Sequence, residues 1–137
     1  MRILVDTSVW VDFFNDHPSK ESSALARFIQ DHDEIATCGV VVAEVFQGFR
    51  DARTLRGLEP YFREMAWLAP AEPDTYLAAA RLFRDLRAKG ITIRSTIDCL
   101  IVRLADEHDH LVLARDRDLR AILDSGLVRA RAAPLPV

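Results

Sequence analysis

Apolar and polar positions along this chain follow two periods in turn. Ile3, Leu4 and Val5 form a short unbroken apolar run that ends at Asp6-Thr7-Ser8, residue types that cap helices, ahead of the amphipathic VWVDFF. A strand passing into a helix is predicted. Leu25, Phe28 and Ile29 recur at helical spacing in a second helix from about Ser19 to Asp31, and EIATC reads as a second strand stopping at Gly39. VVVAEVFQGFRD suits a third helix, with Val42, Val45, Phe46 and Phe49 on one side. The polar RDARTLRGLEPYFRE is expected to be helical in part and to lead into a strand, MAWLA, closed by Pro70. Pro73 opens a further helix through PDTYLAAARLFRDLRAKG, which Gly90 stops. Ser95 or Thr96 then caps TIDCLIVRLADEHD, HLVLA forms a buried strand, a short helix runs from Asp116–Asp118 to about Leu123, and LVRARAA alternates like an edge strand. Strands alternating with helices predict an α/β fold, a mostly parallel central sheet sandwiched by helices.

Length and charge narrow that picture. At 137 residues the chain is expected to form one domain over 1–137, and 50% hydrophobic with 28% charged residues is the composition of a packed globule. A formal net charge of −3 argues against a broadly basic nucleic-acid surface, while leaving room for a local basic groove. Cys38 and Cys99 sit in apolar segments and read as buried free thiols. The N-terminal apolar run is too short for a signal peptide, and no stretch approaches the roughly 20 apolar residues of a membrane span, so a soluble cytoplasmic protein is expected.

Four acids are notable for position. Asp6 ends the first strand, Asp116 follows the strand HLVLA, Asp98 lies in the first turn of a helix, and Glu44 lies inside an otherwise apolar helix. In a parallel sheet the carboxyl ends of the strands and the N-termini of the following helices share one edge, where ligands bind. Helix capping by itself accounts for Asp98 and Asp116, and Thr7 or Ser8 could cap the first helix in place of Asp6. Glu44 has no such reading: a carboxylate among Val42, Ala43, Val45 and Phe46 needs a partner or a metal ion. Clustered carboxylates raise one another's pKa and need a cation to stay ionised. Hard oxygen donors select Mg²⁺, or Mn²⁺ as a substitute, and Mg²⁺ is often completed by substrate phosphates. The expected chemistry is in-line hydrolysis of a phosphodiester, in which an ion lowers the pKa of the attacking water and stabilises the leaving 3′ oxygen.

Other chemistries fit less well. Glycine-rich phosphate loops are absent, His17, His32, His108 and His110 lack H-E-x-x-H spacing, and no G-x-S-x-G follows a strand. His108 and His110 read as part of a solvated loop. A non-enzymatic receiver-like module would want a lysine after a late strand, and the only lysines are Lys20 and Lys89; a DxD phosphatase lacks its second acid in Asp6-Thr7-Ser8. A silent protein-binding module is the remaining alternative.

ILVDTSVW, VVVAEVFQG, GITIRSTIDCLIVRLA and HLVLARDRDL, in this order and spanning nearly the whole chain, resemble the PIN-domain ribonucleases, specifically VapC-type toxins of bacterial toxin–antitoxin pairs. The resemblance implies an endoribonuclease whose acidic site is Asp6, Glu44, Asp98 and Asp116, with Asp6, Asp98 and Asp116 on Mg²⁺ and Thr7 in support. Ala114 and Leu119 depart from the usual hydroxyl residue and Phe, leaving Asp116 and Asp118 as alternatives for the fourth acid. Asp116 is preferred as nearer the strand end, with Asp118 expected to face solvent. The resemblance also implies a cognate VapB-like antitoxin that blocks the site, and assembly as a homodimer, or as a heterotetramer or larger with the antitoxin.

Of the 18 cations 16 are Arg. Arg50, Arg53 and Arg56, and likewise Arg81, Arg84 and Arg87, would share a helical face. Arg94 and Arg115, next to the acidic motifs, are the preferred RNA contacts. Trp10, Phe13, Phe14, Phe46, Phe49 and Trp67 read individually as core.

Overall fold

In a computed structural model describing residues 1–136, the elements follow the order β1 (Arg2–Val5), α1 (Thr7–Phe14), α2 (Lys20–Gln30), β2 (Glu34–Thr37), α3 (Gly39–Gly48), α4 (Ala52–Arg63), β3 (Ala66–Trp67), α5 (Asp74–Ala88), α6 (Thr96–Glu107), β4 (Leu111–Leu113) and α7 (Arg117–Asp124). The four strands form one all-parallel sheet in the order β3-β2-β1-β4. β1 is central, with Leu4 opposite both Ala36 and Val112, and its apolar run is unbroken because both faces are covered. α1 packs on α2 and α3, and α6 packs on α5 and α7, so the sheet lies between two helical groups.

Polar side chains fix where the helices start. Asp6 caps α1, Ser19 caps α2 in a reciprocal pair with Ser22, Asp51 caps α4, Ser95 caps α6 and Asp116 caps α7. On the α1 side the core is aromatic. Trp10, fully buried, stacks on Phe14 at 5.4 Å and meets Phe62 edge-on at 5.0 Å, and Phe46 meets Phe62 at 5.4 Å. Both cysteines are free and buried as expected, and burial pushes the Cys99 thiol up to about 11. Among the described residues no helix is long and apolar enough to cross a membrane.

Several expectations are corrected. LVRARAA does not form a strand: among the described residues it makes a single bridge, Val112 to Ala132, because the chain bends at Leu127 and Arg129 and the Ala130 N–H is taken by the Asp106 side chain, while Pro134 cannot donate to extend the pairing beyond Ala133. Trp67 is 47% exposed on the edge strand β3, not in the core, with its Nε1–H donating to the Phe62 carbonyl at 2.8 Å. His110 is buried, not solvated, and its Nδ1 lies 2.7 Å from the His108 carbonyl. Arg50 precedes α4, so only Arg53 and Arg56 of that trio lie on the helix, whereas Arg81, Arg84 and Arg87 all belong to α5. Asp118 is buried too.

Candidate functional site

The chain lays down β1, β2 and β3 outward in one direction, then returns across the sheet to place β4 on the other side of β1. Such a reversal opens a crevice at the carboxyl ends of the two adjoining strands, where α/β sheets bind ligands. Asp6 follows β1 directly, Asp116 follows β4 by a short turn, and the Asp6 N–H donates to the Leu113 carbonyl at 2.9 Å, locking the two strand ends together. α3, which follows β2, brings Glu44 to the same edge, and the first turn of α6 brings Asp98. Asp6, Thr7, Ser8, Glu44, Arg94, Asp98, Arg115 and Asp116 line one open cavity of about 390 Å³. The four preferred acids, Thr7, Arg94 and Arg115 thus line this space although the segments carrying them are scattered from residue 6 to residue 116, whereas Asp118 and the arginines of α4 and α5 do not line it.

Each acid is held differently. Asp6 is buried; its Oδ2 accepts from the Ser8 hydroxyl at 2.9 Å and from the Ser8 N–H at 3.4 Å, so the helix cap is Asp6 itself and Ser8 supports it. The Thr7 hydroxyl donates to Glu44 Oε1 at 3.2 Å. Asp116 Oδ1 accepts from the Asp118 N–H at 3.1 Å and from Arg94 Nη2 at 3.4 Å. Asp98 has no capping duty, since Ser95 accepts from the Ile97 N–H.

The carboxylates interact electrically. Burial pushes the Asp6 carboxyl above its usual range. Burial first, then the negative charges of Asp116, Asp6, Asp118 and Glu44, push Asp98 up to about 7. Asp118 shifts the opposite way, held below the usual range because it accepts hydrogen bonds from Arg94.

Asp118, expected at the surface, is buried because the segment before α6 folds over it: Arg94 donates to its Oδ2 from the backbone N–H at 3.1 Å and from Nε at 2.9 Å. Arg115 is pinned by Asp12 of α1, with Nη1 2.6 Å from Asp12 Oδ2. Ser8 and Asp12 do not stand out in the sequence as supports of the site, nor does Asp118 as the partner of Arg94. Ser8 is detectable as a hydroxyl two residues after an acid, but the pairings of Asp12 and Asp118 are not, because their partners lie far along the chain.

Among the described residues no three Asp, Glu, His or Cys side chains already converge tightly enough to enclose an ion. Mg²⁺ does not require that, since it is commonly held by one or two carboxylates with water and phosphate oxygens completing the shell. An acidic cavity lined by hard oxygen donors, with the Asp98 carboxyl pushed up to about 7 by burial and then by its neighbours' negative charge, fits such an ion. Linkage sets the sign of the pH dependence. Below pH 3.8 Asp98 is protonated whether folded or unfolded; as pH rises to about 7 the unfolded chain loses a proton that the folded chain keeps, so this group's penalty grows and is complete above about 7. Melts in EDTA should therefore show stability falling through this window, and Asp98→Asn should recover about 1–2 kcal/mol above it, the partial exposure of the site screening the rest. An Asp98→Asn variant melting no higher than the parent above pH 7 would contradict this account.

Three comparisons bear on the family. The PIN domain family profile matches residues 3–123. A VapC ribonuclease of Mycobacterium bovis and ribonuclease VapC11 of Mycobacterium tuberculosis are each 33% identical over 121 residues, 88% of this chain and 90% of theirs. In fold, the chain is similar to the structure of VapBC-1 from nontypeable Haemophilus influenzae, at a TM-score of 0.69 and 14% identity over 97% of both chains. It is also similar to that of VapBC2 from Rickettsia felis bound to a promoter DNA fragment, at 0.65 and 18% over 96% of both. With a four-stranded parallel sheet, acids gathered at its switch point and a family match over most of its length, this chain belongs to the PIN domain family.

Proposed function

We propose that this chain, one PIN domain over residues 1–137, is the toxin of a toxin–antitoxin pair and hydrolyses RNA phosphodiester bonds with a divalent ion, Mg²⁺ or Mn²⁺. The observation that carries this reading is the meeting of Asp6, Glu44, Asp98 and Asp116 in one cavity in a chain 33% identical to VapC ribonucleases. Asp6, Asp98 and Asp116 would hold the ion, which when bound supplies positive charge to activate water and to stabilise the phosphorane-like transition state.

The remaining work falls to the chain. Ser8 fixes the Asp6 carboxylate from two donors, and the Asp118 N–H fixes Asp116. Thr7 occupies Glu44 Oε1 and leaves Oε2 to take a proton from the attacking water. Arg94 and Arg115 at the rim would meet the phosphates flanking the cut, and departure of the 3′ oxygen leaves a 5′-phosphate and a 3′-hydroxyl. A VapB-like antitoxin covering the acidic edge would silence the toxin, in a homodimer or a heterotetramer or larger complex with the antitoxin, in the cytoplasm and away from membranes.

Incubating the purified chain with total RNA tests this. Cleavage should appear with Mg²⁺, vanish in EDTA, return with Mn²⁺ and yield 5′-phosphorylated fragments. Cleavage that persists in EDTA, or that leaves 2′,3′-cyclic ends, would overturn the metal mechanism.

A further inference from the structure

Two arginines border the acidic cavity, and their states differ. Arg94 is engaged within the chain: Nε donates to Asp118 and Nη2 to Asp116. Arg115 has a single partner among the described residues, Asp12 on α1, and that contact at 2.6 Å uses Nη1 only. The Arg115 side chain is 53% exposed while Asp12 is 8% exposed, so a charged group facing the cavity is anchored from behind by a buried one. A buried carboxylate is costly without a cation, so Asp12 loses most if Arg115 swings away. A planar guanidinium held at Nη1 stays at the cavity's edge with Nε and Nη2 free, the pair of donors that can bind two phosphate oxygens at once.

We infer that Asp12 is a positioning residue for RNA binding: it holds the Arg115 guanidinium at the cavity's edge so that its free N–H donors meet a backbone phosphate next to the scissile one. This rests on the ribonuclease reading above. Asp12 touches no substrate; it acts through Arg115 alone.

The expected effect is opposite in sign to that of simple electrostatics. Removing a negative charge close to a polyanion's path should tighten binding. If Asp12 positions Arg115, neutralising it should weaken binding, because the freed arginine must lose its rotamer freedom on each encounter.

The experiment measures binding of a short fluorescent RNA stem-loop in EDTA, across a salt series, with a melt of every variant. Arg115→Gln should weaken binding about three- to tenfold and reduce the salt slope by about one charge. Asp12→Asn should weaken it several-fold with the slope kept, and the double variant should bind no worse than Arg115→Gln alone. Asp16→Asn, at an exposed turn with φ of 53° that Asn also adopts, reports the pure charge effect and should bind equally or slightly more tightly. Should Asp12→Asn fail to fold, Asp12→Glu moves the carboxylate by one methylene at constant charge and should weaken binding likewise. Tighter or unchanged binding in a folded Asp12 variant, with Arg115→Gln still weakened, overturns the inference alone. No effect of Arg115→Gln removes the contact on which it depends, and failure of wild-type chain to bind or cut RNA removes the ribonuclease reading.

Discussion

Asp98→Asn should lower Mg²⁺-dependent RNA cleavage by about 10²- to 10³-fold while leaving the protein folded, the scale expected when one preorganised charged group is removed from a reacting centre. The substitution keeps shape and removes charge. Asp98 is also the acid whose loss is easiest to interpret, because the helix that carries it is capped by Ser95, whereas Asp6 and Asp116 each cap the helix they precede. Changing either of those would mix a catalytic loss with the roughly 1 kcal/mol of a lost cap. At Asp98 the two effects separate in sign: activity falls while the metal-free protein above neutral pH becomes more stable, since the most strongly raised carboxyl at the site is gone. Single-turnover cleavage with and without Mg²⁺, alongside a thermal melt, reads both. A variant that cuts RNA within about tenfold of the parent would remove Asp98 from the ion-binding set.

The largest expected effect on stability is at Trp10. Trp10→Ala should cost about 3–5 kcal/mol, a large share of the roughly 5–15 kcal/mol that holds a typical domain folded. The indole is fully buried and touches Phe13, Phe14, Tyr61 and Phe62, so its removal opens a cavity between α1 and α4 that rings fixed by their own backbones can fill only in part. Among the described residues its Nε1–H has no hydrogen-bond partner, so Trp10→Phe, which deletes that donor along with some volume, should be milder than the alanine change. Urea unfolding monitored by circular dichroism gives both values. An alanine variant destabilised by less than about 1 kcal/mol would show that the aromatic cluster is not the main support of α1, the helix whose first residues carry Asp6 and Thr7 to the site.

How much of this was legible beforehand follows a physical division. Unbroken apolar runs identified β1 and β4, helical spacing with Ser and Asp caps identified α1, α2, α6 and α7, and Pro73 with Gly90 bounded α5, all to within a few residues, because these signals act between neighbours on the chain. LVRARAA misled, since alternation describes a face that could be half-buried but not whether a partner strand with free hydrogen-bonding groups lies alongside. Asp118 misled for the matching reason: local position at a helix start says surface, and only the fold brings Arg94 over it, 24 residues away along the chain.

The sequence alone determined the alternation of strand and helix, the three acids at strand ends and helix starts with Glu44 inside an apolar helix, and the family. Tertiary structure decided that β4 returns to pair with β1, which sets Asp116 beside Asp6, and that Asp12 reaches Arg115 across 103 residues. Local pattern fixes backbone state and the buried face, since both depend on residues a few positions apart. Which strand ends become neighbours depends on how the whole chain buries its apolar surface, and the acids could become one site only after that had been settled.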